Sequence, residues 1–192
     1  MIRAVIFSVL GGLAIGAVTN VLQGVLPGGY NSIANSGSVW VVGAFVAGAL
    51  STRLAPLLGL LTQVFAVVGY YAYAELVRDG MGDWHAPGVW LGLAFVAGPI
   101  FGLAGTWWRR GAGRRPILGA GMLGGVFGMD GLWHLTVLHY VDTGIAFCVA
   151  AVVVTLALGR TWRERLLGLL VAAMLAPLAV TAFSIIAAIT GL

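Results

Sequence analysis

The sequence predicts an all-α protein, a polytopic bundle of about seven transmembrane helices with the N-terminus inside and the C-terminus outside. Three observations predict it. Only 8% of the 192 residues are charged and 60% are hydrophobic, against roughly 25% charged in soluble domains. Apolar runs recur near the length of about 20 residues that a helix needs to cross a hydrocarbon core of about 30 Å. The arginines, finally, fall in alternate breaks between those runs. A mean hydropathy of +1.03 leaves too few charges to cover a water-soluble surface, and excludes disorder, a coiled coil, a disulfide scaffold and a nucleic-acid-binding domain.

The chain divides at its charged and Pro/Gly-rich breaks into spans at about Ala4–Leu26, Ser38–Leu50, Leu54–Leu76, Val89–Trp108, Ile117–His139, Thr143–Leu158 and Leu166–Thr190, all in one domain over residues 1–192. The second and sixth are short. With seven spans, Arg3, Arg53, Arg109, Arg110, Arg114, Arg115, Arg160, Arg163 and Arg165 all fall on one side. The opposite loops hold Asp79, Asp83 and Asp142, with Arg78 as their only base. This is the charge asymmetry of cytoplasmic against outer loops. Arg3 before an apolar run resembles a signal peptide, but no small-x-small cleavage site follows, so the first run is read as a span. Tyr30, Trp40, Trp84, Trp90 and Tyr140 near the outer span ends, and Trp107, Trp108 and Trp162 near the inner ones, suit interfacial rings.

Within the spans, Gly12 and Gly16, Gly98 and Gly102, Gly121 and Gly125, and Gly124 and Gly128 stand four apart. Each pair presents one small-residue helix face, for packing inside the bundle, a membrane partner subunit or a homo-oligomer. Pro99 and Pro177 predict kinks. Trp40–Gly48 and Trp90–Gly98 match at six of nine positions, either as a trace of a repeated helical hairpin or by chance in an Ala/Gly/Val-rich chain. Cys148 is a lone cysteine in an apolar run, a small buried hydrophobe.

Ionisable residues inside a span are costly, which makes them informative. Asp130 lies about 14 residues along the fifth span, roughly 21 Å of helix, slightly past the midplane toward the outside. His134, four residues on, shares its face. The pair is read as a hydrogen-bonded or ionic couple, a proton relay or half of a metal site. His139 is rotated away, toward the interface. Asn20 and Gln23 lie in the outer half of the first span, Tyr70, Tyr71, Tyr73 and Glu75 in that of the third, and Gln63 near the midplane. The uncharged connection Pro27–Gly37 carries Asn31, Ser32, Asn35 and Ser36. It either begins the second helix early or dips in as irregular backbone, with Asn35 or Ser36 as a helix cap.

These residues converge on one leading expectation: an outward-facing polar pocket that binds or transports a small solute, lined by Asp130, His134, Asn20, Gln23, Asn31, Asn35 and Tyr70. Trp84 and His85 lie in the outer loop, as a lid or a plain solvated turn. Two other readings stand beside it, an intramembrane enzyme with Asp130 and His134 as an acid/base pair, and a structural or assembly protein whose polar groups only join helices. The sequence carries no phosphate loop, HExxH or G-x-S-x-G motif, so no catalytic residue, cofactor or metal is assigned. The expected partners are the lipid bilayer and a solute, with no nucleic acid.

Leu22-Gln23-Gly24-Val25-Leu26-Pro27, then Asn31, Asn35-Ser36-Gly37 and Trp40, together with Gly98-Pro99, Gly102-Leu103-Ala104-Gly105 and Trp107-Trp108-Arg109, resemble an uncharacterised family of small polytopic integral membrane proteins, bacterial and mainly actinobacterial, that carries a domain-of-unknown-function label. The likeness covers most of the chain. It implies the bacterial cytoplasmic (inner) membrane and supplies no activity. In size, small-residue faces and outward pocket the chain also resembles the substrate-binding subunits of energy-coupling-factor vitamin transporters, which have six spans rather than seven.

Overall fold

The computed structural model describes residues 2–78, 80 and 82–191. Among them the regular structure is helical: α1 (Ile2–Val25), a 3-10 turn (Gly28–Tyr30), α2 (Asn31–Ala34), α3 (Gly37–Ala49), α4 (Ala55–Val77), α5 (His85–Arg110), α6 (Arg115–Thr136), α7 (Val141–Leu158) and α8 (Trp162–Thr190). The seven expected spans correspond in order to α1 and α3–α8. Asp79, one of the acids assigned to the outer loops, lies outside the described residues.

Six segments are long and apolar enough to cross a membrane, namely α1, α4, α5, α7, α8 and the stretch Gly28–Ala49. The seventh helix, α6, has 22 residues and is long enough, but Asp130 and its many glycines dilute its hydropathy. The apolar surface faces outward, as lipid solvation requires. Only 11% of the most apolar stretch of α8 is buried, and Leu10, Val18, Val96, Val153 and Met174 are exposed.

The second span resolves into a broken helix. The 3-10 turn and α2 end at Asn35, and α3 restarts at Gly37. Ser36 is extended (φ −87°, ψ 146°) and its Oγ accepts from the Val39 N–H at 3.3 Å. A side-chain acceptor at that position satisfies one of the amides that a helix start leaves unpaired, which is why α3 begins there.

The chain forms two compact units, Met1–Thr106 and Trp107–Leu192. In the first, α1 and α4 lie side by side with their backbones close. A Cβ on Gly16 would run into the Ala66 carbonyl and come within 2.5 Å of the Tyr70 nitrogen. Gly59 of α4 meets Gly98 and Gly102 of α5 in the same way. Trp40, Ala66, Val67 and Ala94 form the buried cluster of α3, α4 and α5, flanked by Tyr70, Tyr71 and Trp90.

In the second unit α6 is the central helix and packs on both α7 and α8. A Cβ on Gly131 would lie 2.5 Å from the Cys148 Sγ on α7, and one on Gly121 2.6 Å from the Val171 side chain on α8. Short polar bonds fasten the α7–α8 corner. The Thr161 Oγ1 accepts from the Glu164 N–H at 3.2 Å and the Glu164 carboxylate accepts from the Arg160 N–H at 2.9 Å. The Arg160 guanidinium donates to the Trp108 and Arg109 carbonyls at 2.7 and 2.9 Å, a cation against the carbonyl end of α5.

Candidate functional site

The seven expected ligand residues divide between the units. Asn20, Gln23, Asn31, Asn35 and Tyr70 belong to the first, Asp130 and His134 to the second.

In the first unit a hydrogen-bond network joins the ends of α1 and α4. Asn20 is 2% exposed. Its Nδ2 donates to the Tyr70 carbonyl at 3.1 Å, and the Tyr70 hydroxyl donates to the Gln23 Oε1 at 2.6 Å. Arg78 folds back over the pair, its guanidinium donating to the Asn20 Oδ1 at 2.9 Å and to the Asn20 carbonyl at 3.3 Å. Arg78 was legible in the sequence only as an exception to the charge pattern. Its role as a clamp depends on α1 and α4 lying side by side in register, which no local motif announces. Asn31 and Asn35 are exposed and stand at the two ends of α2, away from regular helix interior.

Four buried polar groups in this unit have no hydrogen-bond partner among the described residues, the Gln63 amide nitrogen, the Trp40 indole nitrogen and the Ser8 and Thr106 hydroxyls. Gln63 is 4% exposed and Trp40 8%. Gln63 stands one turn beyond Gly59 and one turn before Val67 on α4. Trp40 stacks at a tilt on Tyr70 and Trp90, ring centres 5.8 and 6.3 Å apart. Trp84 and His85 are exposed at the start of α5, with the His85 N–H donating to the Asp83 carboxylate at 3.0 Å.

In the second unit Asp130 and His134 are 5% and 4% exposed. Their helical spacing brings the His134 Nδ1 to 2.7 Å from the Asp130 backbone carbonyl. A carbonyl can only accept, so Nδ1 is the nitrogen that donates in this bond. The imidazole lies against Phe147, ring centres 5.0 Å apart, with Tyr140 at 6.4 Å. His139 is exposed beyond the helix end and takes the left-handed backbone region (φ 57°). On another side of α6 an apolar groove of about 390 Å³ runs past Gly124, Gly128, Cys148, Ala151, Ala172 and Ala176. Among the described residues no three His, Cys, Asp or Glu side chains cluster closely enough to hold a metal ion.

The model of a family of unknown function, DUF6518, matches residues 1–189. The chain belongs to this family. The match spans both units, so the family is defined by the whole helical chain and not by one half of it. No curated protein and no solved structure matches the chain.

Proposed function

We propose that this DUF6518 protein is a multi-pass protein of the bacterial cytoplasmic membrane, N-terminus inside, that binds or transports a small solute at a site centred on Asp130 and His134. The observation that carries the reading is the burial of two ionisable side chains one turn apart, at 5% and 4% exposure, on a helix that sits among long apolar ones. Charged groups in that setting cost several kcal/mol, so their presence points to a function. The Nδ1 bond to the Asp130 carbonyl orients the imidazole, which places both side chains on one face of α6. Asn20, Gln23 and Tyr70 hold α1 to α4 within the first unit, where the exposed side chains of Asn31 and Asn35 offer polar contacts of their own.

The glycine faces are used inside each unit. A homo-oligomer or membrane partner subunit would therefore meet the lipid-facing sides of the helices.

The test is the thermal stability of wild type and Asp130→Asn in detergent against a panel of small solutes at several pH values. A ligand that binds only the folded state raises stability by mass action, by about 2.7 kcal/mol at a hundred times its Kd. A solute that stabilises wild type and leaves Asp130→Asn unmoved supports the site. If no solute acts and Asp130→Asn is merely less stable at every pH, the pair joins helices and binds nothing.

A further inference from the structure

A second groove lies in the first unit, where α4 ends and α5 begins, and it combines three features. Its volume is about 400 Å³, within the range of roughly 300–1,000 Å³ of small-molecule sites. Its wall on α4 is Val67, Val68, Tyr71 and Glu75, and Leu91 and Trp84 close it from α5 and the residue before it. From Val67 to Glu75 the wall runs about 12 Å along the helix. It passes from purely apolar side chains to a carboxylate two residues from the last residue of α4. Trp84, at 74% exposure, stands at the polar end.

This gradient has one chemical complement. A carboxylate in a groove that a tyrosine and a tryptophan also line suits an ammonium group, which an aromatic face and a negative charge both attract. The Val67–Val68–Leu91 end suits methylenes. A neutral polar solute gains nothing from the apolar end, and an anion is repelled by Glu75. We propose that this groove binds an amphiphilic amine, with its ammonium group between Glu75, Tyr71 and Trp84 and its alkyl chain along Val67, Val68 and Leu91. The same chemistry belongs to the ammonium headgroup of a membrane lipid and to a free alkylamine. The site shares no residue with Asp130 and His134, so the two readings stand or fall separately.

The test uses the purified protein in maltoside detergent, titrated with dodecyltrimethylammonium below its micellar concentration and followed by thermal melting. Wild type should be stabilised saturably. Glu75→Gln should raise the half-saturating concentration several-fold, the scale of a charge contact at an exposed side chain. Trp84→Leu, at an exposed position, should also raise it several-fold. A parallel arm purifies wild type and Glu75→Gln from nanodiscs that mix ethanolamine and glycerol phospholipids and weighs the retained lipid by native mass spectrometry. Ethanolamine lipid retained by wild type and lost in Glu75→Gln assigns a lipid headgroup. A saturable response to the free amine without lipid preference assigns a free amine. The proposal is overturned if wild type shows neither response, or if Glu75→Gln and Trp84→Leu both respond at the wild-type concentration.

Discussion

Arg78 shows how much one side chain can organise. It is the only base among loops otherwise acidic, and it spends its guanidinium on the oxygens of a single buried residue, Asn20. Asn20 in turn holds the Tyr70 carbonyl, and Tyr70 holds Gln23. Removing the clamp leaves the Asn20 oxygens short of a donor, so Arg78→Ala should lower stability by about 1–2 kcal/mol, read as a lower melting temperature in detergent. Tyr70→Phe in the Arg78→Ala background should cost less than it does alone, because the two belong to one network. At His134 the carbonyl bond fixes the tautomer. Nitrogen-15 NMR of histidine-labelled protein with His85 and His139 replaced should show a protonated Nδ1 at neutral pH. A signal from the opposite tautomer would mean that the bond to the Asp130 carbonyl does not hold in solution. Asp130 and His134 were legible as a pair from their spacing alone. The choice of backbone carbonyl over carboxylate as the Nδ1 partner was not, since it depends on a rotamer that the spacing leaves open.

Among the elements, the seven long helices were legible because hydrophobic runs bounded by arginine and Pro/Gly are a strong signal. The break at Asn35–Ser36 was half legible. Asn35 or Ser36 read as a cap, and the structure selects Ser36; whether the chain before it was helical turned on how the uncharged Pro27–Gly37 segment packs. Helix pairing was less legible still. Gly12 and Gly16 announced a close-packed face without naming its partner, and that partner proves to be α4, where any Cβ on Gly16 meets backbone and not a side chain able to move. Gly16→Val should therefore force α1 and α4 apart and cost about 2–3 kcal/mol or more, visible as a large drop in melting temperature. The same change at Gly11, where a Cβ has open space, should leave the stability within about 0.5 kcal/mol of wild type. The glycines of α6 have a second effect. They let α7 and α8 approach closely, and together with Asp130 they keep α6 out of the six segments apolar enough to cross a membrane.

For the whole molecule, composition alone was enough to indicate an inside-out protein, apolar without and small-residue-packed within. Its division at Thr106–Trp107 was not legible, because α5 runs through that point without a linker, and composition shifts do not mark a boundary inside a helix. Topology carries its own prediction. With Cys148 changed to serine, single cysteines placed at Gly113 and at Trp84 should label from opposite faces of membrane vesicles, the first from the cytoplasmic side that its neighbouring arginines select. If α6 crosses together with the other six, a C-terminal reporter should face outward, and a cytoplasmic reporter would leave α6 as a helix that does not span.

The claim that most needs testing is that Asp130 and His134 bind a solute and do not merely join helices. The direct measurement is calorimetric titration of purified protein with the solute that stabilises it most in the panel, for wild type, Asp130→Asn and His134→Gln, each first shown to melt cooperatively. Saturable binding to wild type is expected at one site per chain, with affinity at least about tenfold weaker in both variants, the scale of a lost buried charged contact. Equal affinity in all three proteins would contradict it.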